Sequence, residues 1–136
     1  MIAKTVKYKD FNGVEREEKY FFNLTEAEVT EMEHSVNGGL GESIKQIVAA
    51  QDNVQLIKIF KELLLKSYGE KSLDGKRFRK TDDKGVPLSI AFSETEAFST
   101  LFMELANDDV KAAEFVNGIM PSTLNEKAKD KLNETK

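Results

Sequence analysis

A histidine, a few serines, paired carboxylates and a glycine cluster are the residues of this chain that could do chemistry. His34 is the single histidine. It stands late in a helical run, where a partly cationic ring interacts favourably with the helix dipole. With no cysteine and no second histidine, it lacks the companions of a metal site. Ser43, Ser93 and Ser122 fit helix starts and have no histidine within local reach, so a serine nucleophile would depend on His34 for everything. Asp82-Asp83 and Asp108-Asp109 fall at turns and helix starts, where acids are ordinary. Gly38, Gly39 and Gly41 look like a phosphate loop but lack the Gly-Lys-Ser/Thr ending and follow a helix, not a strand. These residues define no catalytic centre, metal site or cofactor site. An enzyme is not expected.

The one concentrated charge is the basic cluster Lys76, Arg77, Arg79 and Lys80, with Phe78 inside it. Read functionally, it is a nucleic-acid patch, with charge for phosphates and Phe78 for stacking. Read structurally, it is a solvated turn with Phe78 returned to the core and the bases facing Asp82 and Asp83. Alternation of Phe78 with charge favours the turn. The net charge of −4 is too mild to imply a polyanion partner for the whole protein.

Elements must position these residues, and 136 residues with 40% apolar content suffice for one domain with a real core. The expected class is α+β, an N-terminal β-hairpin followed by a mainly helical domain of about five helices. The expected division is a single domain over 1–121 and a polar, mobile or helical tail over 122–136. Within the domain, 1–24 is the hairpin, 25–67 a helical block, 68–92 a turn-rich connection and 93–121 a second helical block. No apolar run approaches the ~18 residues that span a bilayer. The N-terminus is not a signal peptide, because it alternates charge with apolar residues. A soluble, cytoplasmic protein is expected.

In the hairpin, Ile2, Val6, Tyr8, Val14, Tyr20 and Phe22 share one parity around Asn12-Gly13. A two-residue loop would split them across both faces. A three-residue loop, Phe11 to Gly13 with Gly13 left-handed, keeps them together and sets Lys7 opposite Glu17 and Lys9 opposite Glu15. Phe11 and Phe21 then share the other face.

Capping boxes at Thr25–Glu28, Asp52–Gln55 and Ser93–Glu96 predict helix starts. Helices are expected from Thr25 to about Val36, from about Glu42 to Ala50, from Asn53 to Ser67 and from Ser93 to about Ala106. A last one, capped by Asn107 or Asp108, ends where Gly118 weakens it and Pro121 breaks it. The helix Asn53–Ser67 is the most apolar and reads as the central one. Gly69 fits a left-handed residue just past its end, Asp74-Gly75 is a turn pair that makes Lys71 to Lys80 a small hairpin or an ordered loop, and Pro87 argues against a central strand at Val86 to Phe92.

Several of these pieces, in order, resemble the tail assembly chaperones of long-tailed bacteriophages. They are Asp10-Phe11-Asn12-Gly13, Phe22-Asn23-Leu24-Thr25-Glu26-Ala27-Glu28, and Tyr68-Gly69-Glu70-Lys71-Ser72 through Asp74-Gly75-Lys76-Arg77-Phe78. Phe98-Ser99-Thr100-Leu101-Phe102, Glu104-Leu105-Ala106 and Phe115-Val116-Asn117-Gly118-Ile119-Met120-Pro121 complete the likeness, which runs from about Thr5 to Pro121. Arg79 departs from it, standing where an aliphatic residue is expected.

The resemblance implies a non-enzymatic chaperone, without cofactor, that coats the apolar tape measure protein while tail-tube subunits polymerise around it. It implies action in the host cytoplasm and absence from the mature virion. Further partners it suggests are the tail tube protein, other copies of the chain and a longer, frameshifted form of itself; nucleic acid and membrane are not expected. The C-terminal apolar residues Phe98, Leu101, Phe102, Met103, Leu105, Phe115, Ile119 and Met120 are candidates for partner contact, the methionines as adaptable ones. Two other readings stay open: a structural tail protein retained in the virion, and a small nucleic-acid-binding phage accessory protein.

Overall fold

The computed structural model describes residues 1–34, 46, 49–51 and 53–121. In chain order they form β1 (Ile2–Lys9), β2 (Glu15–Phe22), α1 (Glu26–His34), α2 (Asn53–Ser67), β3 (Tyr68–Lys71), β4 (Phe78–Arg79), α3 (Leu88–Ser93), α4 (Glu96–Ala106) and α5 (Asp109–Ile119). The class is α+β, with the N-terminal hairpin followed by five helices among the described residues. Most of the expected helix at 42–50, the Asp52 cap and everything after Pro121 lie outside them; of that helix, Gln46 and Ala49 are described and are helical.

The hairpin has the register that side-chain parity requires. Lys7 faces Glu17 and Lys9 faces Glu15. Gly13 takes φ 79° and donates its N–H to the Asp10 carbonyl at 2.9 Å. Asp10 Oδ1 accepts from the N–H groups of Asn12 and Val14, both at 2.9 Å, so one carboxylate organises the loop. Asp82 repeats the device in the same Asp-x-x-Gly-Val setting, accepting from Lys84 at 2.8 Å and Val86 at 2.9 Å with Gly85 at φ 82°. Phe11 is 76% exposed, while Phe21 is partly covered with the Lys19 ammonium 5.6 Å from its ring.

The sheet extends beyond the hairpin, in the order β1-β2-β3-β4. Phe22 faces Tyr68 and Phe21 faces Gly69, and Glu70 and Lys71 then pair with Arg79 and Phe78. Gly69 is therefore a strand residue and not a left-handed helix stop. Its role is close approach: a Cβ there would lie 2.6 Å from the Phe78 ring and 2.7 Å from the Arg79 carbonyl oxygen. Gly75 supplies the positive φ, 74°, at the β3–β4 turn.

Two further expectations change. Residues 88–93 form a short helix that takes up the end of the expected turn-rich connection, with Pro87 as the extended residue before it at φ −58° and ψ 130°. Ser93 ends that helix, its hydroxyl donating to the Ile90 carbonyl at 2.7 Å, and Thr95 instead caps α4 by accepting from the Phe98 N–H at 3.1 Å. Elsewhere the caps agree. Thr25 and Glu28 form the reciprocal box, and Asp108 accepts from Val110 and Lys111.

One face of the sheet carries the core. Phe22, Leu24, Leu64, Leu101, Leu105, Phe115 and Ile119 are closed to solvent, each contributing ~1.5–3 kcal/mol by burial. Phe92 of α3 lies among the rings, stacked on Tyr68 at 4.2 Å and set against Phe22 at 5.9 Å. α2 enters this core mainly through its C-terminal part, with Ile59, Phe60 and Leu65 packed partly buried against it. Leu63 and Leu64 are buried, whereas Val54 and Ile57 are exposed. Gly118 lies within α5, where the Ile2 side chain would meet a Cβ at 2.8 Å.

Candidate functional site

The four bases of the basic cluster have different surroundings. Lys80 turns inward: its ammonium donates to the Asn23 carbonyl at 2.9 Å and to the Lys66 carbonyl, and lies 3.2 Å from the Glu28 carboxylate. The Lys66 carbonyl belongs to the last turn of α2, whose carbonyls lack intrahelical partners, so Lys80 caps that helix from a distance. Burial pulls the Lys80 pKa below its ordinary value, against the opposing effect of Glu28. Arg79 pairs with Asp83 at 3.3 Å, as the turn reading expected.

Phe78 does not return to the hydrophobic core. Its register opposite Lys71 puts it on the Gly69 side of the sheet, away from Tyr68, where its ring covers the glycine and lies 5.4 Å from the Lys80 ammonium. Of the four bases, Lys76 and Arg77 are left exposed and without an ion pair among the described residues.

The C-terminal apolar residues divide sharply. Phe98, Leu101 and Leu105 on α4, with Phe115 and Ile119 on α5, are buried in the protein's own core. Phe102 and Met120 are partly buried against it, Phe102 packing on Phe60 at 6.0 Å. Met103 is half exposed. Val54 and Ile57 of α2, Ile90 of α3 and Val110 of α5 are further large apolar side chains open to solvent. An open groove of about 540 Å³ lies between α1 and the start of α3, lined by Leu24, Met32, Leu65, Tyr68 and Pro87 with Glu28 and Lys80 beside them.

The hairpin holds a polar arrangement that residue-by-residue reading missed. The hydroxyls of Tyr8 and Tyr20 both donate to Glu18 Oε2, at 2.9 and 2.7 Å. These donated bonds hold the Glu18 carboxyl below its ordinary pKa, while burial, together with the contact to Tyr8 and Glu18, drives the Tyr20 hydroxyl far above its own. The signal was present in the shared parity of residues 8, 18 and 20. His34 is exposed in the last turn of α1, and no group of three or more metal-ligating side chains occurs among the described residues. Ser43 and Ser122 lie outside those residues. No helix among the described residues is long and apolar enough to cross a membrane.

Sheet and helices describe an α+β protein with several large apolar side chains open to solvent. A family model described as phage tail assembly chaperone matches residues 1–136. The chain belongs to that family, which is the one its Asp10–Gly13, Tyr68–Phe78 and Phe115–Pro121 pieces resemble. Neither the curated proteins nor the solved structures contain a match.

Proposed function

We propose that this chain binds the tape measure protein and keeps it soluble while the phage tail assembles, without catalysis. Membership of the tail assembly chaperone family over residues 1–136 carries this reading. A long apolar helical client needs a protein that covers hydrophobic surface reversibly, and the exposed Val54, Ile57, Met103 and Val110 offer such contacts on three different helices. On this reading the chain acts in the host cytoplasm, meets tail tube subunits, further copies of itself and a longer frameshifted form during assembly, and leaves before the virion is complete. Residues 1–121 serve as one working domain and 122–136 as its tail.

Client contact is assigned to Met103 and Phe102 of α4 and to Met120 at the end of α5, the last two at the margin of the core. Phe98, Leu101, Leu105, Phe115 and Ile119 act through the core that positions them. Co-purification of tagged chain with the tape measure protein tests the reading. The wild type should retain the client and Met103→Glu should retain clearly less at unchanged circular dichroism. Mass spectrometry of purified particles should find no copy of the chain; a stoichiometric amount would instead make it a structural tail protein.

A further inference from the structure

We propose that the free edge of β1 is a docking strand for an extended, acidic segment of a partner protein. The hydrogen-bond pattern defines that edge. Asp10 donates to the Val14 carbonyl at 2.9 Å, so residues of even number in β1 point their backbone groups at β2. The N–H and C=O groups of Ala3, Thr5, Lys7 and Lys9 therefore point the other way. β1 stands at the end of the sheet order, and among the described residues no backbone hydrogen bond reaches these four.

The edge is long and preformed. Eight residues span roughly 26 Å at the usual strand rise, and α4 packs against β1 from beneath. Ala3, Thr5, Lys7 and Lys9 are all exposed. Such an edge is ready for strand addition, in which main-chain bonds give affinity and alternate side chains give selectivity.

Charge selects the occupant. Lys4, Lys7 and Lys9 lie on β1, and none of them forms an ion pair among the described residues. Edge lysines are a common guard against unwanted strand pairing, but a guard of one sign still admits strands of the other. β2 illustrates the admissible kind, setting Glu15 and Glu17 opposite Lys9 and Lys7. A second copy pairing through its own β1 would bring the three lysines of each strand into one ribbon, so the acidic strand is favoured over self-pairing.

The test is amide hydrogen exchange of the full chain, read by NMR, with two blocked peptides of alternating sequence, Glu-Thr-Glu-Val-Glu-Thr-Glu and Lys-Thr-Lys-Val-Lys-Thr-Lys. The acidic peptide should slow exchange at Ala3, Thr5, Lys7 and Lys9, and the basic one should not. Thr5→Pro places proline where the N–H faces away from β2, so it should abolish the protection while the β2 resonances stay in place. Lys7→Gln with Lys9→Gln should weaken binding about two- to thirtyfold, the effect of losing two cross-strand charge pairs. Equal protection by the two peptides, or none with the acidic peptide at millimolar concentration, would overturn the proposal. So would slow exchange of these amides in a free protein that dimerises with concentration, since a second copy would then hold the edge.

Discussion

Gly69 and Lys80 show how single residues hold β3 and β4 to the rest of the protein. In Gly69→Ala the new methyl group would meet a backbone carbonyl at 2.7 Å as well as the Phe78 ring, and the carbonyl cannot yield without parting β3 from β4. A loss of about 1–3 kcal/mol is expected, as for other overpacked sites, and the urea unfolding midpoint reads it. Lys80→Met keeps the apolar stem but leaves the Asn23 and Lys66 carbonyls without their donor and Glu28 without its cation. It should cost about 1–3 kcal/mol, again as a lower midpoint at unchanged slope. At Glu18 the two tyrosine hydroxyls depress the carboxyl pKa, so the folded chain binds fewer protons there than the unfolded one. That stability is present at neutral pH and is lost as the pH falls through the folded pKa, below the ordinary 4.5. Glu18→Gln should therefore lose less of its thermal midpoint than the wild type between about pH 5 and pH 3. Equal slopes would deny the tyrosine bonds an energetic role.

Among the elements, those governed by local chemistry were legible and those governed by distant partners were not. Parity and the Asn12-Gly13 pair were enough to place the β1–β2 register, because one slip would turn every apolar side chain to the wrong face. Thr25 and Asp108 were readable as caps because each satisfies amides of its own helix start. The Asp74-Gly75 turn allowed a small hairpin over 71–80, but the pairing of β3 with β2 was hidden, since Tyr68-Gly69 looks like any helix end until Phe21 and Phe22 are beside it. The helix α3 was hidden too, as a proline signals both strand interruption and helix start. The apolar face of α2 was plain, yet nothing local told that Val54 and Ile57 would stay exposed while Leu63 and Leu64 filled the core. Nor could the C-terminal apolar residues be sorted into core and surface from spacing alone. Phe60 joins α2 to α4 and α5 through rings at 6.0 and 6.2 Å. Phe60→Asp should exceed the ~3–5 kcal/mol of a large-to-small aromatic truncation and unfold the protein, seen as loss of helical circular dichroism at 25 °C.

At the scale of the whole molecule, the described residues close one core between sheet and helices and leave scattered helical side chains and the β1 edge to solvent. Folding of this kind uses the sheet to present the helices, so client binding should fail in any variant that parts β3 from β2 and should survive changes at Lys76 and Arg77. The tape measure protein is the central claim, and co-expression tests it most directly. Expressed alone, the client should collect in the insoluble fraction; expressed with this chain, it should become soluble and co-purify with it. A client equally insoluble with and without the chain would contradict the account.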